Sequence, residues 1–122
     1  MRLLLGIGGS DDSLRALERT VDRAAETGDD LTVAILQNPA TETTPEEIER
    51  RAQAVLDEAG VSATIRYLDG DPRSRLVELA EQEGFDRIVL GGGETSPMGK
   101  IKLGSIAEFV LLNSHVSVTL VR

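Results

Sequence analysis

Two glycine-bearing segments near the carboxyl end of the chain have residue types that can bind an anion. Gly91-Gly92-Gly93 directly follows the apolar run Ile88-Val89-Leu90, and Gly104-Ser105 opens an amphipathic helix after a nine-residue loop, 95–103. Backbone N–H groups at a helix start point at such a ligand, and glycines let the chain approach it closely. The spacing therefore predicts an anion pocket between these two segments.

Both segments also have a purely structural interpretation. Ser105 and Glu108 form a Ser-x-x-Glu capping box, in which the two side chains satisfy N–H groups at the helix start. A glycine-rich turn such as 91–93 is often only a tight bend. The cap and an anion are not exclusive, because several N–H groups are free at a helix start. Both interpretations stay open at this point.

Other chemistry is sparse in this chain. It contains no cysteine, which excludes disulfides, thiolate metal sites and cysteine nucleophiles. The one histidine, His115, follows the last predicted helix, where a surface cation is favoured over a catalytic base. No nucleophile–base motif and no carboxylate cage for a metal are evident. We therefore predict no catalytic and no metal-binding residues.

The overall charge limits the partners. Asp and Glu total 21 against 13 Lys and Arg, and the net charge of −8 opposes binding to nucleic acid or to an anionic membrane. The only lysines, Lys100 and Lys102, lie in the 95–103 loop. They are interpreted either as phosphate ligands or as solvated side chains. Few lysines beside many arginines, in an acidic chain, are typical of adaptation to high salt. Leu3-Leu4-Leu5 is too short for a signal peptide or a membrane span, so we expect a cytoplasmic protein.

Alternating strands and helices must position these segments. Apolar runs predict strands over residues 3–7, 31–36, 61–68, 86–90 and 116–121. Helix starts are predicted at Thr44-Pro45, Asp71-Pro72 and Ser105, and helix ends at Gly28 and Gly84. The first helix is expected to turn inward the side chains of Leu14, Leu17, Val21, Ala24 and Ala25. The aromatic side chains are expected to pack rather than stack on bases: Tyr67, Phe85 and Phe109.

This alternation predicts a doubly wound α/β fold over residues 1–122 as one domain. Parallel strands joined by helices need right-handed crossovers, and they place helices on both faces of the sheet. The length is sufficient for one well-buried core.

The signature residues resemble the universal stress protein family. Its C-terminal motif is Gly-x-x-Gly, nine residues, then Gly-Ser or Gly-Thr, and here Gly91 and Gly104-Ser105 match its ends. The opening segment 3–10 and the closing strand 116–121 are similar to the family as well. The resemblance implies a five-stranded, Rossmann-like parallel sheet with strand order 3-2-1-4-5. That order would place strands 1 and 4 at the point where ligands bind in open α/β sheets.

The resemblance further implies a site for ATP or another adenine nucleotide, with Mg²⁺ carried on the phosphates of ATP. The phosphate side is implied at Gly91, Gly93, Gly104, Ser105 and Ile106. The adenosine side is implied at Gly6, Gly8 and Leu36.

Two residues depart from the family pattern. Glu94 replaces the second glycine of the motif, and Gly8 stands where nucleotide-binding members usually carry an aspartate near the adenosine. A carboxylate ~6 Å from a phosphate charge repels it by about 0.7 kcal/mol at water-like screening and ~3 kcal/mol at an effective dielectric of ~20. Gly8 removes an acceptor for the sugar. Tight nucleotide binding is therefore in question.

Three functions from different classes follow. The first is a dimeric regulatory protein that binds a nucleotide, and the second is an interaction protein of the same fold that has lost nucleotide binding and acts on an unidentified client. The third, a slow ATPase, is disfavoured because no general base is evident. The dimer is expected through the last strand, where Val116, Val118 and Leu120 alternate with more polar positions on an edge that needs covering.

Overall fold

The computed structural model describes residues 1–8, 10–36, 43–92, 94–95, 101–102 and 104–121. Strands and helices alternate along the chain. The strands are β1 (Arg2–Ile7), β2 (Asp30–Leu36), β3 (Ala63–Leu68), β4 (Arg87–Gly91), β5 (Glu94–Thr95), β6 (Ile101–Lys102) and β7 (Ser117–Val121). The helices are α1 (Asp11–Thr27), α2 (Pro45–Ala59), α3 (Pro72–Gln82) and α4 (Ser105–Asn113).

The five longer strands form one parallel sheet with the order β3-β2-β1-β4-β7. With β7 counted as the fifth strand of this sheet, the order is the predicted 3-2-1-4-5, and the doubly wound α/β fold is confirmed. In such a fold each helix runs back across the sheet, so the carboxyl ends of the strands and the starts of the helices share one edge. We call this edge the carboxyl edge.

Two separate cores cover the two faces of the sheet, because alternate strand side chains point to opposite faces. One core packs α1 and α2 against Leu5 and Ile7 of β1. The other packs α3 and α4 against Leu4 of β1 and Ile88 of β4. This packing fixes both pairs of helices on the faces of the sheet, with their starts at the carboxyl edge.

Cap chemistry sets the starts of two helices as predicted. The Thr44 hydroxyl accepts a hydrogen bond from Glu47 N at 3.2 Å, and the Asp71 carboxylate accepts one from Arg73 N at 3.1 Å. Proline follows each cap at the first helical position, where its missing N–H has no intrahelical partner to lose. Helix α1 ends at Gly28, whose φ of 72° lies in the left-handed region that favours glycine.

Two expectations about packing are wrong. Ala25 is exposed, because the buried stripe of α1 is narrower than predicted and includes Ala24 but not its neighbour. Tyr67 is 41% exposed, because β3 lies at an edge of the sheet, and its hydroxyl donates to the Glu49 carboxylate. Of the other two aromatic side chains, Phe85 is buried and Phe109 is half-buried.

The prediction of an unbroken loop over 95–103 is also wrong. Strands β5 and β6 pair antiparallel, with Glu94 opposite Lys102 and Thr95 opposite Ile101. The pairing of residues 94–95 with residues 101–102 was not visible as a sequence pattern, because each strand is only two residues long. Residues 96–100 and 103 lie outside the described residues.

Candidate functional site

The predicted site residues come from two adjacent strands that end at the carboxyl edge. Strands β1 and β4 are neighbours, paired through Leu4 and Ile88 and through Leu5 and Val89. Strand order reverses at this pair, so β1 continues into the Gly8 region and β4 into Gly91 and Gly92 at the position where open α/β sheets bind ligands. The structure therefore brings Gly8, after β1, and Gly91 and Gly92, at the end of β4, to the same part of the carboxyl edge, which we call the crevice.

Gly91 is explained by packing against the first turn of α1. A Cβ atom added to Gly91 would lie 2.8 Å from both the carbonyl carbon and the carbonyl oxygen of Asp12. Real Cβ atoms do not approach backbone so closely, and a helix backbone cannot yield as a side-chain tip can. Glycine at this position thus has a structural cause that does not depend on a ligand.

The next residue also has a structural role. The N–H group of Gly92 donates to the carbonyl of Val121 at 2.7 Å, continuing the contact between β4 and β7. That donor is therefore occupied and is not directed at an anion. Gly93, the third glycine of the run and a predicted phosphate contact, lies outside the described residues.

On the adenosine side, Gly6 and Leu36 are brought together but are buried. A Cβ atom on Gly6 would lie 2.9 Å from Leu90 Cδ2, 3.0 Å from Leu76 Cδ2 and 3.4 Å from Leu36 Cδ1. Leu36 itself is 4% exposed. Both residues thus belong to the core beneath the crevice, and any contact they make with a ligand would be through their backbone.

Gly8 differs from Gly6 because none of the described residues crowds it. Of the described atoms, a Cβ atom there would meet only Ser13 Oγ, at 3.9 Å. Gly8 N donates to Ser13 Oγ at 3.0 Å, and Ser10 caps α1 by accepting from Ser13 N at 3.2 Å. Ser13 was not predicted from the sequence, although its spacing from Ser10 at a helix start was a usable signal. The hydroxyl groups of Ser10 and Ser13 therefore lie beside Gly8 at the start of α1.

The start of α4 differs from the predicted capping box. Gly104 occupies the cap position, and Ser105 is the first helical residue, so neither Ser105 nor Glu108 supplies a side-chain cap. Gly104 and Ser105 are exposed, whereas Ile106 is half-buried against the core of α3 and α4. A Cβ atom on Gly104 would have no heavy atom within 4 Å. Among the described residues, no side chain occupies the N–H groups of this helix start.

Glu94, the residue that opposes phosphate binding, lies in β5 rather than in an unpaired loop. Its partner across the antiparallel pair is Lys102. The register therefore pairs the backbones of Glu94 and Lys102, while Lys100 lies outside the described residues.

The start of α3 carries a polar cluster, formed by Asp71 and Arg73, that was not predicted from the sequence. The Arg73 guanidinium carbon lies 5.6 Å from the ring centroid of Phe109 on α4, and Arg73 Nε lies 3.4 Å from Asp71 Oδ1. The backbone N–H of Arg73 holds the pKa of the Asp71 carboxyl below its usual value, although partial burial opposes this. The sequence marked Asp71 as a cap, but the contact of Arg73 with α4 depends on how the helices pack.

Within the described ranges, no group of three or more His, Asp or Glu side chains can hold a metal ion. The same part of the chain contains no helix that is both long and apolar enough to cross a membrane. His115 is exposed after α4, as predicted, and its backbone N–H donates to Glu81 Oε1 at 3.2 Å.

Known proteins that are similar to this chain include universal stress proteins. The sequence model of the Universal stress protein family matches residues 1–122. The chain is 28% identical to Universal stress protein YxiE of Bacillus subtilis, over 99% of this chain and 98% of that one. It is 34% identical to Universal stress protein MJ0531 of Methanocaldococcus jannaschii over 63% of this chain, but the match spans only 45% of that relative.

Solved structures share the fold. A universal stress protein in complex with cAMP is 32% identical and superimposes with a TM-score of 0.78, over 100% of this chain and 96% of that one. A universal stress protein from Archaeoglobus fulgidus has a TM-score of 0.77 over 100% of this chain and 98% of that one. At 23% identity, the second similarity concerns the fold alone.

Proposed function

Because the chain belongs to the universal stress protein family, we propose that it is a cytoplasmic regulatory protein that binds an adenine nucleotide at the carboxyl edge of β1 and β4. The observation that carries this proposal is the open start of α4. Gly104 and Ser105 are exposed there, and no described side chain caps the helix. Free N–H groups and the positive end of the helix dipole attract phosphate.

The choice of an adenine nucleotide is supported by a relative. The structure that is 32% identical to this chain holds cAMP. In the present chain, no described side chain crowds Gly8 on the implied adenosine side, and none caps the start of α4 on the implied phosphate side. If the ligand is ATP, Mg²⁺ would be held by its phosphates, since the described residues offer no metal cage.

A second candidate is an interaction protein of the same fold that binds no nucleotide. The observation that favours it is the packing of two signature glycines. Gly6 lies under leucine side chains and Gly91 against the backbone of α1, so both would be needed even in a protein without a ligand. Their presence therefore does not separate the two candidates.

Calorimetric titration separates them. The wild-type protein is titrated with ATP, with and without Mg²⁺, and with AMP, cAMP and adenosine, at several salt concentrations. Saturable binding that weakens with added salt is expected, because part of the attraction is between charges. If none of these ligands binds to the folded protein, the interaction protein is the better assignment.

We also propose that the protein is a homodimer through β7. This strand is the last in the sheet, so one side of its backbone has no neighbouring strand in the described chain, and Val118 and Leu120 are only half-buried. An unpaired strand edge of this kind is covered when the same strand of another copy pairs with it.

A further inference from the structure

Arg73 is oriented by two helices at once. Its guanidinium carbon lies 5.6 Å from the ring centroid of Phe109 on α4, within the range of a cation–π contact. Its Nε lies 3.4 Å from Asp71 Oδ1 at the start of α3. The contact with Phe109 holds the guanidinium beside the ring, and the contact with Asp71 occupies its inner nitrogen, Nε.

The outer nitrogens of this guanidinium remain available. Within the part of the chain that the structure describes, neither Nη1 nor Nη2 of Arg73 has a hydrogen-bond partner. The side chain is 45% exposed, so a ligand can reach it. Parallel N–H groups of this kind match two oxygens of one phosphate, which a lysine cannot do with the same geometry.

The ring of Phe109 links this guanidinium to α4, the helix whose start is uncapped. Ser105 and Phe109 are four residues apart on α4 and therefore lie on the same face of the helix. Side chains on a helix lean toward its amino end, so the Phe109 ring leans toward the turn that begins at Ser105. Arg73 is thus carried on α3 but contacts the same face of α4 as the start of that helix, and the starts of both helices lie at the carboxyl edge.

We infer that Arg73 binds the phosphate of the nucleotide and gives this site its preference for phosphorylated ligands over the nucleoside. This inference rests on the proposed function. The uncapped N–H groups of α4 bind the phosphate from one side, and the guanidinium of Arg73 binds it from another.

The test compares one substitution in α3 with a matched control. Arg73→Gln removes the charge and the paired donors, whereas Arg75→Gln removes the same group from a position where Nη1 is already 3.3 Å from Glu78 Oε1. Each variant and the wild type are titrated with AMP and with adenosine. We expect Arg73→Gln to lower AMP affinity about tenfold or more and to leave adenosine affinity unchanged. Arg75→Gln should change neither, and Arg73→Lys should recover only part of the loss.

The outcomes are distinguishable. Two outcomes would show that Arg73 does not contact the phosphate: Arg73→Gln binds AMP as well as wild type does, or it loses AMP and adenosine affinity to the same extent. In either case this inference is wrong, while nucleotide binding by the wild type stands. If wild type binds neither ligand, the proposed function fails, and this inference fails with it. The adenosine arm and thermal unfolding of each variant report whether the fold is intact.

Discussion

At the scale of single residues, Gly91 and Gly8 differ in how closely other atoms approach them. The backbone of α1 lies so close to Gly91 that no Cβ atom fits there, whereas none of the described residues crowds Gly8. We expect Gly91→Ala to destabilise the protein by about 1–3 kcal/mol, because the added methyl overlaps the Asp12 backbone. Gly8→Ala is the matched control and should change the free energy of unfolding by less than about 0.5 kcal/mol. Urea denaturation measures both, and equal stability of the two variants would contradict this account of Gly91.

Glu94 is the residue that we expect to affect ligand affinity most. If the crevice is a weakened nucleotide site, Glu94→Gly should raise ATP affinity by roughly tenfold or more, corresponding to ~1–3 kcal/mol, because a negative charge is removed and the backbone can approach more closely. Added salt should reduce this gain. Glu94→Gln, which removes only the charge, separates the two contributions in the same titration.

The double variant makes this test decisive. Gly8→Asp restores the acceptor that the family usually carries, and of the described atoms only Ser13 Oγ lies within 4 Å of a Cβ atom at this position. Titration of ATP into the combined Glu94→Gly and Gly8→Asp protein should show the largest gain. If this variant is folded and still does not bind ATP, the nucleotide site is not there, and the interaction protein becomes the better assignment.

At the scale of elements, the start of α4 links stability to ligand binding. Gly104 leaves this helix without a side-chain cap. Gly104→Ser should add one, raising stability by a few tenths of a kcal/mol while occupying an N–H group that an anion would use. We therefore expect a slightly higher midpoint in urea together with weaker AMP binding. Unchanged AMP affinity in a variant with the higher midpoint would show that the anion lies elsewhere.

Helix α3 should make stability depend on pH in acid. The pKa of Asp71 is lowered in the folded protein, first by the backbone N–H of Arg73. A carboxyl whose folded pKa is depressed contributes stability that is complete above its unfolded value of 3.8 and is lost as the pH falls through the folded pKa. Asp71→Asn keeps a cap but does not titrate. Its midpoint of thermal unfolding should fall less steeply with acid than that of wild type, and parallel pH profiles would contradict this.

At the scale of the whole molecule, the net charge of −8 should govern the response to salt. Like charges repel one another in the folded state, and salt screens this repulsion. We expect the midpoint of thermal unfolding to rise as the KCl concentration is increased from about 0.1 M to several molar, because the screening length shortens over this range. Sucrose at matched water activity is the control, because it stabilises without screening. A midpoint that falls with KCl would contradict the predicted adaptation to high salt.

The dimer is a second property of the whole molecule. Pairing of β7 between two copies should give twice the mass of 13.1 kDa in light scattering at micromolar concentration. Replacing the half-buried Val118 by Lys places a charge on this edge strand and should shift the protein to the monomer. Cooperative thermal unfolding of the variant shows that it is folded. A wild type that stays monomeric in the salt where it is folded contradicts the proposed dimer.

Much of this architecture was determined by the sequence itself. The order of the five sheet strands and the four helices, the caps at Thr44 and Asp71 and the end of α1 at Gly28 were predicted and confirmed, whereas the short strands β5 and β6 were not predicted. Each depends on residues within a few positions of one another, through hydrophobic periodicity or a side chain that reaches the nearest backbone N–H. The strand order followed from the resemblance and was confirmed as well.

The site was decided by tertiary structure. Only the packing of α1 against β4 shows that Gly91 is needed beside Asp12, and only the packing of α3 against α4 places Arg73 over Phe109. Likewise, the pairing of β5 with β6 places Glu94 opposite Lys102. The physical reason is the same in each case. These contacts join residues that are separated along the chain, and their distances depend on how whole elements fit together, which local propensity and spacing do not specify.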